Sequence, residues 1–446
     1  MIIACPDCAA LQHMPPPPGR GYLQCCRCER VLERRTARSL DATLACAFAS
    51  LLLLLPANLL PLVMVRPMTG LSTTTYLGSG CAVIWQQGWP LVAVVLGLQG
   101  LILPFVRFGL LVSVLAALRL RARPPWLGRA FRYDEYLDIW AMPDVLLAGG
   151  IIGYGRVAVV LPVQLQPGGW CLALAGIMAM VARATLDRPA VWRRIGAPPD
   201  PVSEETIGCI VCNVVMPGSA THCGRCGALL HRRKPFSLTR TNALLLTAVV
   251  LLPVAGFFPV SSFWELGKVS PRTVIDGVKL LFQSGYIPVG VLISCTSLGA
   301  PLLKIGGTAW CSIAVMLGSN RFLLFRTRLY RILEPVGRWS YLDPFSVMVF
   351  APMLQLAPLT HITLGVGSPA FLALLVTTTF AVRLFDPRLM WDRADSAVRG
   401  CRVQPHAYRD KVAARARSSP HRHGRAIVPA IRASTVRGRW PGPARP

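Results

Sequence analysis

The sequence predicts an all-α polytopic membrane protein, built as a tandem duplication of one unit: a small cysteine module followed by four transmembrane helices. Three observations carry this expectation. The 446 residues are 53% apolar and only 15% charged, against about 25% charged in an ordinary soluble domain. The apolar residues are gathered into eight blocks. Features near the N-terminus also recur, in the same order, about 200 residues later.

A bilayer core of roughly 30 Å takes about 20 helical residues. Blocks of suitable length lie near 41–65, 88–118, 139–161, 169–186, 241–263, 286–317, 342–364 and 368–385. Residues 1–40 hold cysteines and prolines instead of an apolar stretch after a basic start, so the first span is expected to direct insertion. The net charge is +27, and its placement sets orientation. Arg119, Arg121, Arg123, Arg129 and Arg132 crowd one connection, and Arg321, Arg326, Arg328, Arg331 and Arg338 another. The connection around 66–87 has only Arg66, and that around 154–168 only Arg156. Cytoplasmic loops keep the excess of Lys and Arg, so both termini and the 187–240 linker are expected in the cytoplasm.

The duplication is read from ordered pairs. Cys5-x-x-Cys8 and Cys25-x-x-Cys28 recur as Cys209-x-x-Cys212 and Cys223-x-x-Cys226. Pro104-x-x-Arg107 matches Pro301-x-x-Lys304 at a shift of 197; Trp140/Asp144 matches Trp339/Asp343, and Asp187/Trp192 matches Asp386/Trp391, both at 199. The expected organisation is a first ribbon at 1–40, a membrane domain at 41–190, a second ribbon at 200–235, a membrane domain at 240–395 and a basic, disordered tail at 396–446. An even number of spans per unit makes the two halves parallel copies.

The cysteine modules are the most specific local signal. Two thiolate pairs per module, Cys5, Cys8, Cys25 and Cys28 in the first and Cys209, Cys212, Cys223 and Cys226 in the second, suit a tetrahedral ion about 2.3 Å from each sulfur. Modules this small need a metal to supply folding energy. Two structural Zn2+ sites are expected, although spacing alone does not separate zinc from rubredoxin-like iron. Pro6, Gly218, Gly224 and Gly227 are candidate turn residues.

Charges inside the spans are the candidate working groups. Arg107 and Lys304 lie near the middle of long spans, where a cation costs about 2.5–3.5 kcal/mol and should have a partner. Asp144 and Asp343 either stabilise helix N-termini through the dipole or partner Lys304 in a polar network that moves protons or touches a lipid head group. Thr377, Thr378 and Thr379 add hydroxyls to the last span. Arg183 with Asp187, and Arg383 with Asp386, are expected as interfacial ion pairs. Pro56, Asn58 and Pro61 break the first span before its far end. The tail after 400 carries eleven Lys/Arg and one Asp. With no RNP or helix-turn-helix pattern, it points to anionic lipid or to no partner, and nucleic acid is not expected.

As an ordered set, CPDC with CRC, LLPANLLP at 54–61, PLLK at 301–304, GRWSYLDPF at 337–345 and FDPRLMWD at 385–392 resemble the paraquat-inducible protein A family, which includes the lipophilic envelope-spanning tunnel protein A branch. Weaker first-half copies are WAMPDV at 140–145 and LDRPAVW at 186–192. The resemblance spans roughly residues 1–395; PVAGFFP in the second half and the long basic tail depart from it. It implies a bacterial inner-membrane protein that exchanges phospholipid with a periplasmic MCE-domain tunnel partner, and it points to Asp144, Lys304 and Thr378 as polar residues of the membrane core. The rival readings are a membrane redox or stress-response protein using its C-x-x-C pairs, and a structural or regulatory scaffold. No hydrolase triad, phosphate loop or metalloprotease motif is present, so no enzymatic activity is expected.

Overall fold

Proline and β-branched residues cut the apolar blocks into helices that stop short of the sheet-forming loops, and the duplication makes the same cuts twice. The computed structural model describes residues 2–13, 21–35, 40–65, 73–158, 162–196, 206–265, 268–354, 360–392 and 404–407. Residues up to Ala407 form one compact unit.

The first ribbon comprises β1 (Ile2–Ala4), β2 (Leu11–His13), β3 (Gly21–Gln24) and β4 (Val31–Arg35), with β1 paired to β2 and β3 to β4. The first membrane half follows as α1 (Leu40–Leu59), β5 (Val63–Val65), β6 (Thr73–Thr75), α2 (Leu77–Gln86), α3 (Pro90–Gly97), α4 (Leu103–Arg119), α5 (Leu127–Leu137), α6 (Pro143–Ala158), β7 (Val163–Leu165), α7 (Pro167–Thr185) and α8 (Arg188–Ile195). The second ribbon contains β8 (Thr206–Gly208) and β9 (Val215–Pro217). The second half repeats the first as α9 (Ser237–Phe257), β10 (Ser261–Glu265), β11 (Lys268–Arg272), α10 (Val274–Gln283), α11 (Ile287–Ile293), α12 (Ala300–Met316), α13 (Leu323–Trp339), α14 (Leu342–Leu354), β12 (Thr360–Leu364) and α15 (Gly367–Leu384). A 3-10 turn at Pro387–Met390 stands where α8 stands in the first half.

Six helices among the described residues are long and apolar enough to cross a membrane: Leu40–Leu59, Pro90–Arg119, Pro167–Thr185, Ser237–Phe257, Ile287–Met316 and Gly367–Leu384. The expected third and seventh spans are α6 and α14, only 16 and 13 residues long, and their far ends run into 159–161 and 355–359, outside the described residues. The two 30-residue helices are each interrupted by a π-turn, Leu98–Ile102 and Ser294–Gly299. Both turns immediately precede the helical positions of Pro104 and Pro301, whose missing N–H groups disturb the regular ladder.

The expectation of an all-α fold is corrected at one end of the molecule. There, β5 is flanked by β6 and β7 in one antiparallel sheet, and β10 by β11 and β12 in another. The first span also ends sooner than expected: α1 stops at Leu59, with Pro56 still helical, Asn58 Nδ2 donating to Leu54 O at 2.8 Å, and Pro61 outside. In the tail, expected to be disordered, Gln404–Ala407 form a strand, β13, antiparallel to β3. The remainder of the tail lies outside the described residues.

The halves meet through α6 and α14, which lie side by side, with α2 also against α14. Small residues permit this approach. A Cβ on Gly149 would sit 2.9 Å from both Leu342 O and Ser346 N, and one on Gly80 would collide with Met348 O. The shared core draws Met142, Val145 and Leu146 from one half and Tyr341, Leu342, Phe345 and Met348 from the other. Apolar burial between membrane helices depends on such close packing, because lipid competes equally for apolar surface.

Gly149→Ala should therefore overpack the inter-half contact and cost about 1–3 kcal/mol. A lowered thermal unfolding midpoint of the detergent-solubilised protein is the expected result. Gly150→Ala, where nothing lies within 4 Å, should leave the midpoint unchanged.

Candidate metal centres and buried charge network

Four Cys-x-x-Cys turns share one backbone geometry. In each, the N–H of the residue after the second cysteine donates to the carbonyl of the first: Ala9 to Cys5 at 2.9 Å, Glu29 to Cys25 at 2.9 Å, Asn213 to Cys209 at 3.1 Å and Gly227 to Cys223 at 2.8 Å. All four of these residues have positive φ, between 58° and 65°. Pro6, Gly218 and Gly224 also lie in turns, but of the four candidates only Gly227 takes the left-handed position. Ala9 and Glu29 adopt it without glycine's freedom, which shows how strongly the knuckle is imposed.

The knuckles bring the eight ligand candidates together in two buried quartets, with the sulfurs of each within 4.8 Å of one another. Across the pairs, Cys5–Cys28 and Cys8–Cys25 are each 3.5 Å apart, Cys209–Cys226 3.6 Å and Cys212–Cys223 3.5 Å. A tetrahedron with about 2.3 Å metal–sulfur bonds has edges of about 3.8 Å, whereas a disulfide needs about 2.05 Å. The residues present therefore fit a four-thiolate metal ion, and all eight cysteines are free thiols. Gln12 Nε2 donates to Cys25 Sγ at 2.7 Å, orienting a ligand from outside the quartet.

Neither ribbon stands alone. The first quartet packs with Tyr330, Leu333, Phe385, Met390 and Trp391, and the second with Leu127, Phe131, Val191 and Trp192. This contact offsets the small core available to each module.

The second feature is a buried charge network. Arg107 is fully buried, its Nη2 2.6 Å from Asp138 and its Nε 3.6 Å from Asp134. Asp138 also receives Arg183 Nε at 2.9 Å, Arg188 Nη2 at 2.7 Å and Arg338 Nη2 at 3.4 Å. Arg338 comes from α13, so the cluster ties the second half to the first. Burial alone would push the Asp138 carboxyl up, but the four guanidiniums, Arg107 foremost, hold it well below the usual carboxylate range. Asp134, with fewer partners, is pushed up to about 6 by burial, against the pull of Arg107.

The repeat mate of Arg107 has a different environment. Lys304 is buried, and its Nζ donates to Gly337 O at 3.4 Å, Thr378 Oγ1 at 3.5 Å and Thr379 Oγ1 at 3.2 Å. None of these partners is a carboxylate. A narrow cleft beside it, lined in part by Glu334, Gly337, Thr379 and Arg383, has room for about one water (about 10 Å³). At the shift of 199 that relates the halves, Asp138 falls on Gly337 and Asp134 on Leu333. The second half thus keeps the cation and lacks both counter-charges.

Asp144 is not a partner of Lys304: its Oδ2 accepts from Arg183 Nη1, with Arg338 Nη1 at 3.9 Å. Asp343 opens α14, half-buried, its carbonyl accepting from Ser346 Oγ at 3.0 Å. The two expected interfacial pairs are also corrected. Arg183 turns to Asp138 and Asp144, while Asp187 caps α8 by accepting from Ala190 N at 3.1 Å. Arg383 meets Glu334 at 3.1 Å, and Asp386 is held by Arg388 at 2.9 Å. Sequence reasoning missed Asp138, although its repeat mate being a glycine was a usable signal. A separate open cleft of about 670 Å³ lies at the ribbon end of α1 and α4, lined by Arg119, Arg121, Arg123 and Arg194 over Leu40 and Leu44.

Asp138→Asn should strand four guanidiniums and lower stability by about 3–5 kcal/mol, against about 1 kcal/mol for the cap variant Asp187→Ala. Because the Asp138 carboxyl titrates below its unfolded value, its contribution is present above that value, near 4, and is lost as pH falls further. Unfolding midpoints should therefore show a wild-type-to-variant gap that stays constant from about pH 8 to pH 5.

The sequence profile described as Paraquat-inducible protein A matches this chain twice, over residues 40–196 and 238–395, once per membrane half. The chain is 27% identical over 410 residues to the intermembrane transport protein PqiA of Escherichia coli K12, covering 88% of this chain and 95% of that protein. It is 25% identical over 404 residues to the lipophilic envelope-spanning tunnel protein A of the same strain, covering 88% and 91%. It is also 23% identical over 414 residues to a probable intermembrane transport protein of Haemophilus influenzae, covering 87% and 95%. No solved structure matches it. The doubled profile, laid over the two halves that the ribbons and the Asp138 cluster join, means that this chain belongs to the paraquat-inducible protein A family.

Proposed function

We propose that this protein is an integral inner-membrane component of an MCE-type intermembrane lipid transport system, loading or extracting phospholipid for a periplasmic MCE-domain partner. In this reading α6 and α14 complete a set of eight spans. The ribbons and both termini face the cytoplasm, and each cysteine quartet holds a structural Zn2+ ion. The names of the relatives, intermembrane transport protein and envelope-spanning tunnel protein, support the transport class.

The observation that carries the reading is the imbalance between Arg107 and Lys304. Both cations occupy one place in the repeat, and a buried cation without a counter-charge is costly. In the first half two carboxylates offset it. In the second half a cleft stands beside Gly337 and Leu333, with only hydroxyl and carbonyl oxygens on Lys304. A phosphate head group docking at the mouth of this cleft, which widens from its one-water size to admit a phosphate oxygen, supplies the missing negative charge, with Arg383 at the rim, while the acyl chains remain in the bilayer. Binding of such a group is favoured most where water is excluded.

A photoreactive residue at Val382, which lines the same cleft, should capture labelled phospholipid in cells. Lys304→Gln should cut that capture about ten-fold or more with normal membrane levels, a loss on the order of 1.4 kcal/mol, and Lys304→Arg should retain part of it. Capture that is indifferent to Lys304 would remove the head-group assignment. Elemental analysis of the purified chain should find about two zinc ions that do not cycle with redox potential. Thiol–disulfide cycling of the quartets would favour the redox reading instead.

A further inference from the structure

The second knuckle of each ribbon carries an arginine just before its last cysteine: Cys25-Cys26-Arg27-Cys28 and Cys223-Gly224-Arg225-Cys226. These arginines make the same contact twice. Arg27 Nη2 donates to Trp391 O at 3.2 Å, and its guanidinium lies 5.0 Å from the centre of the Trp391 ring. Arg225 Nη2 donates to Trp192 O, and its guanidinium lies 5.6 Å from the Trp192 ring. Trp192 and Trp391 are themselves repeat mates, each in a short helical turn opened by a capping aspartate, Asp187 or Asp386. The Arg–Trp clasp is thus part of the duplicated unit.

Its partners are exchanged. The first ribbon precedes the first membrane half but grips Trp391, at the end of the second. The second ribbon precedes the second half but grips Trp192, at the end of the first. Each ribbon also touches its own half, Glu33 of the first pairing with Arg193 of α8, and Arg233, at the end of the second, with Asp392. Two further contacts follow the same crossing. Arg331 of α13 donates through Nη2 to Cys28 O at 2.8 Å and to Cys28 Sγ at 3.2 Å, and its Nε reaches Asp7 at 2.7 Å. On the other side, Gly128 of α5 lies so close to Arg225 O that any Cβ would collide with it.

We propose that the ribbons are metal-locked braces exchanged between the two halves: each four-thiolate centre holds the knuckle whose arginine clasps the tryptophan of the half that the ribbon does not precede. The charge balance favours this. A divalent ion with four thiolates carries a net charge of −2, and a buried centre of that charge needs donors around it. At the first ribbon one such donor, Arg331, belongs to the second half. Loading the ion therefore strengthens the cross-half contact, and removing it dissolves both the knuckle and the clasp. The effect extends to the membrane core, because α13 bears both Arg331 and the Gly337 carbonyl that receives Lys304. The brace does not depend on what Lys304 binds.

Hydrogen–deuterium exchange of the full chain in lipid nanodiscs tests the crossing. Emptying the first ribbon with Cys8→Ser/Cys25→Ser should speed exchange about ten-fold in α13, leaving α5 unchanged. Emptying the second with Cys212→Ser/Cys223→Ser should speed exchange in α5 and leave α13 unchanged. Loosening of α5 by loss of the first ion, or no change in either helix, would overturn the proposal. Arg331→Gln, which keeps all eight thiols, provides a folded control: in a chelator competition it should release one of the two ions about ten-fold faster and leave the other at its wild-type rate. Equal release of both ions would show that Arg331 plays no part in the lock.

Discussion

Asp138 sits under the ribbon end of the first membrane half with four arginines on it, one of them from the second half. A single buried carboxylate cannot neutralise four guanidiniums, so Asp134 and Asp144 share the load. Once this cluster forms, α4, α5, α7 and α13 are fixed against one another, and the packing of α6 on α14 follows along the membrane direction. A pair of such charges placed in isolation would cost more in desolvation than it returned. The network avoids this by giving each oxygen of Asp138 more than one donor.

The two halves started as the same unit and diverged in how they treat one cation. In the first half Asp134 and Asp138 close the site around Arg107 and anchor the fold. The second half has Leu333 and Gly337 at the matching positions, with Lys304 beside a cleft. The glycine matters doubly here, because a Cβ at that position would lie 3.2 Å from Lys304 Cε and 3.3 Å from Nζ. Duplication made this division possible: one copy preserves the fold while the other is free to carry an unbalanced charge.

Much of the architecture was legible beforehand. The quartets could be read because their geometry is local: a Cys-x-x-Cys turn folds the same way wherever it occurs. The long spans were legible from hydropathy, and the repeat from ordered offsets. The sheets were hidden because their strands are only three residues long in the first half and five in the second, too short for an alternating pattern to register. Asp138 was hidden because it lies in a connection rich in charge, where nothing local distinguishes it from Asp134 or Glu135. Arg183 and Arg383 lie near Asp187 and Asp386 in sequence, yet pair with Asp138, Asp144 and Glu334 in other segments. At a helix end that nearness favours a capping turn, as at Asp187 and Asp386.

Composition, periodicity and ligand spacing by themselves determined that this chain crosses a membrane repeatedly, that it is two copies of one unit, and that each copy opens with four metal-binding thiols. These properties depend on residue type and short separations. Only the tertiary structure decided which ribbon meets which half, which cation is neutralised and which is left open. Those outcomes rest on contacts such as Arg27 with Trp391 and Asp138 with Arg338, between residues 200 or more positions apart. Their geometry is set by how two folded halves pack, which no local pattern encodes.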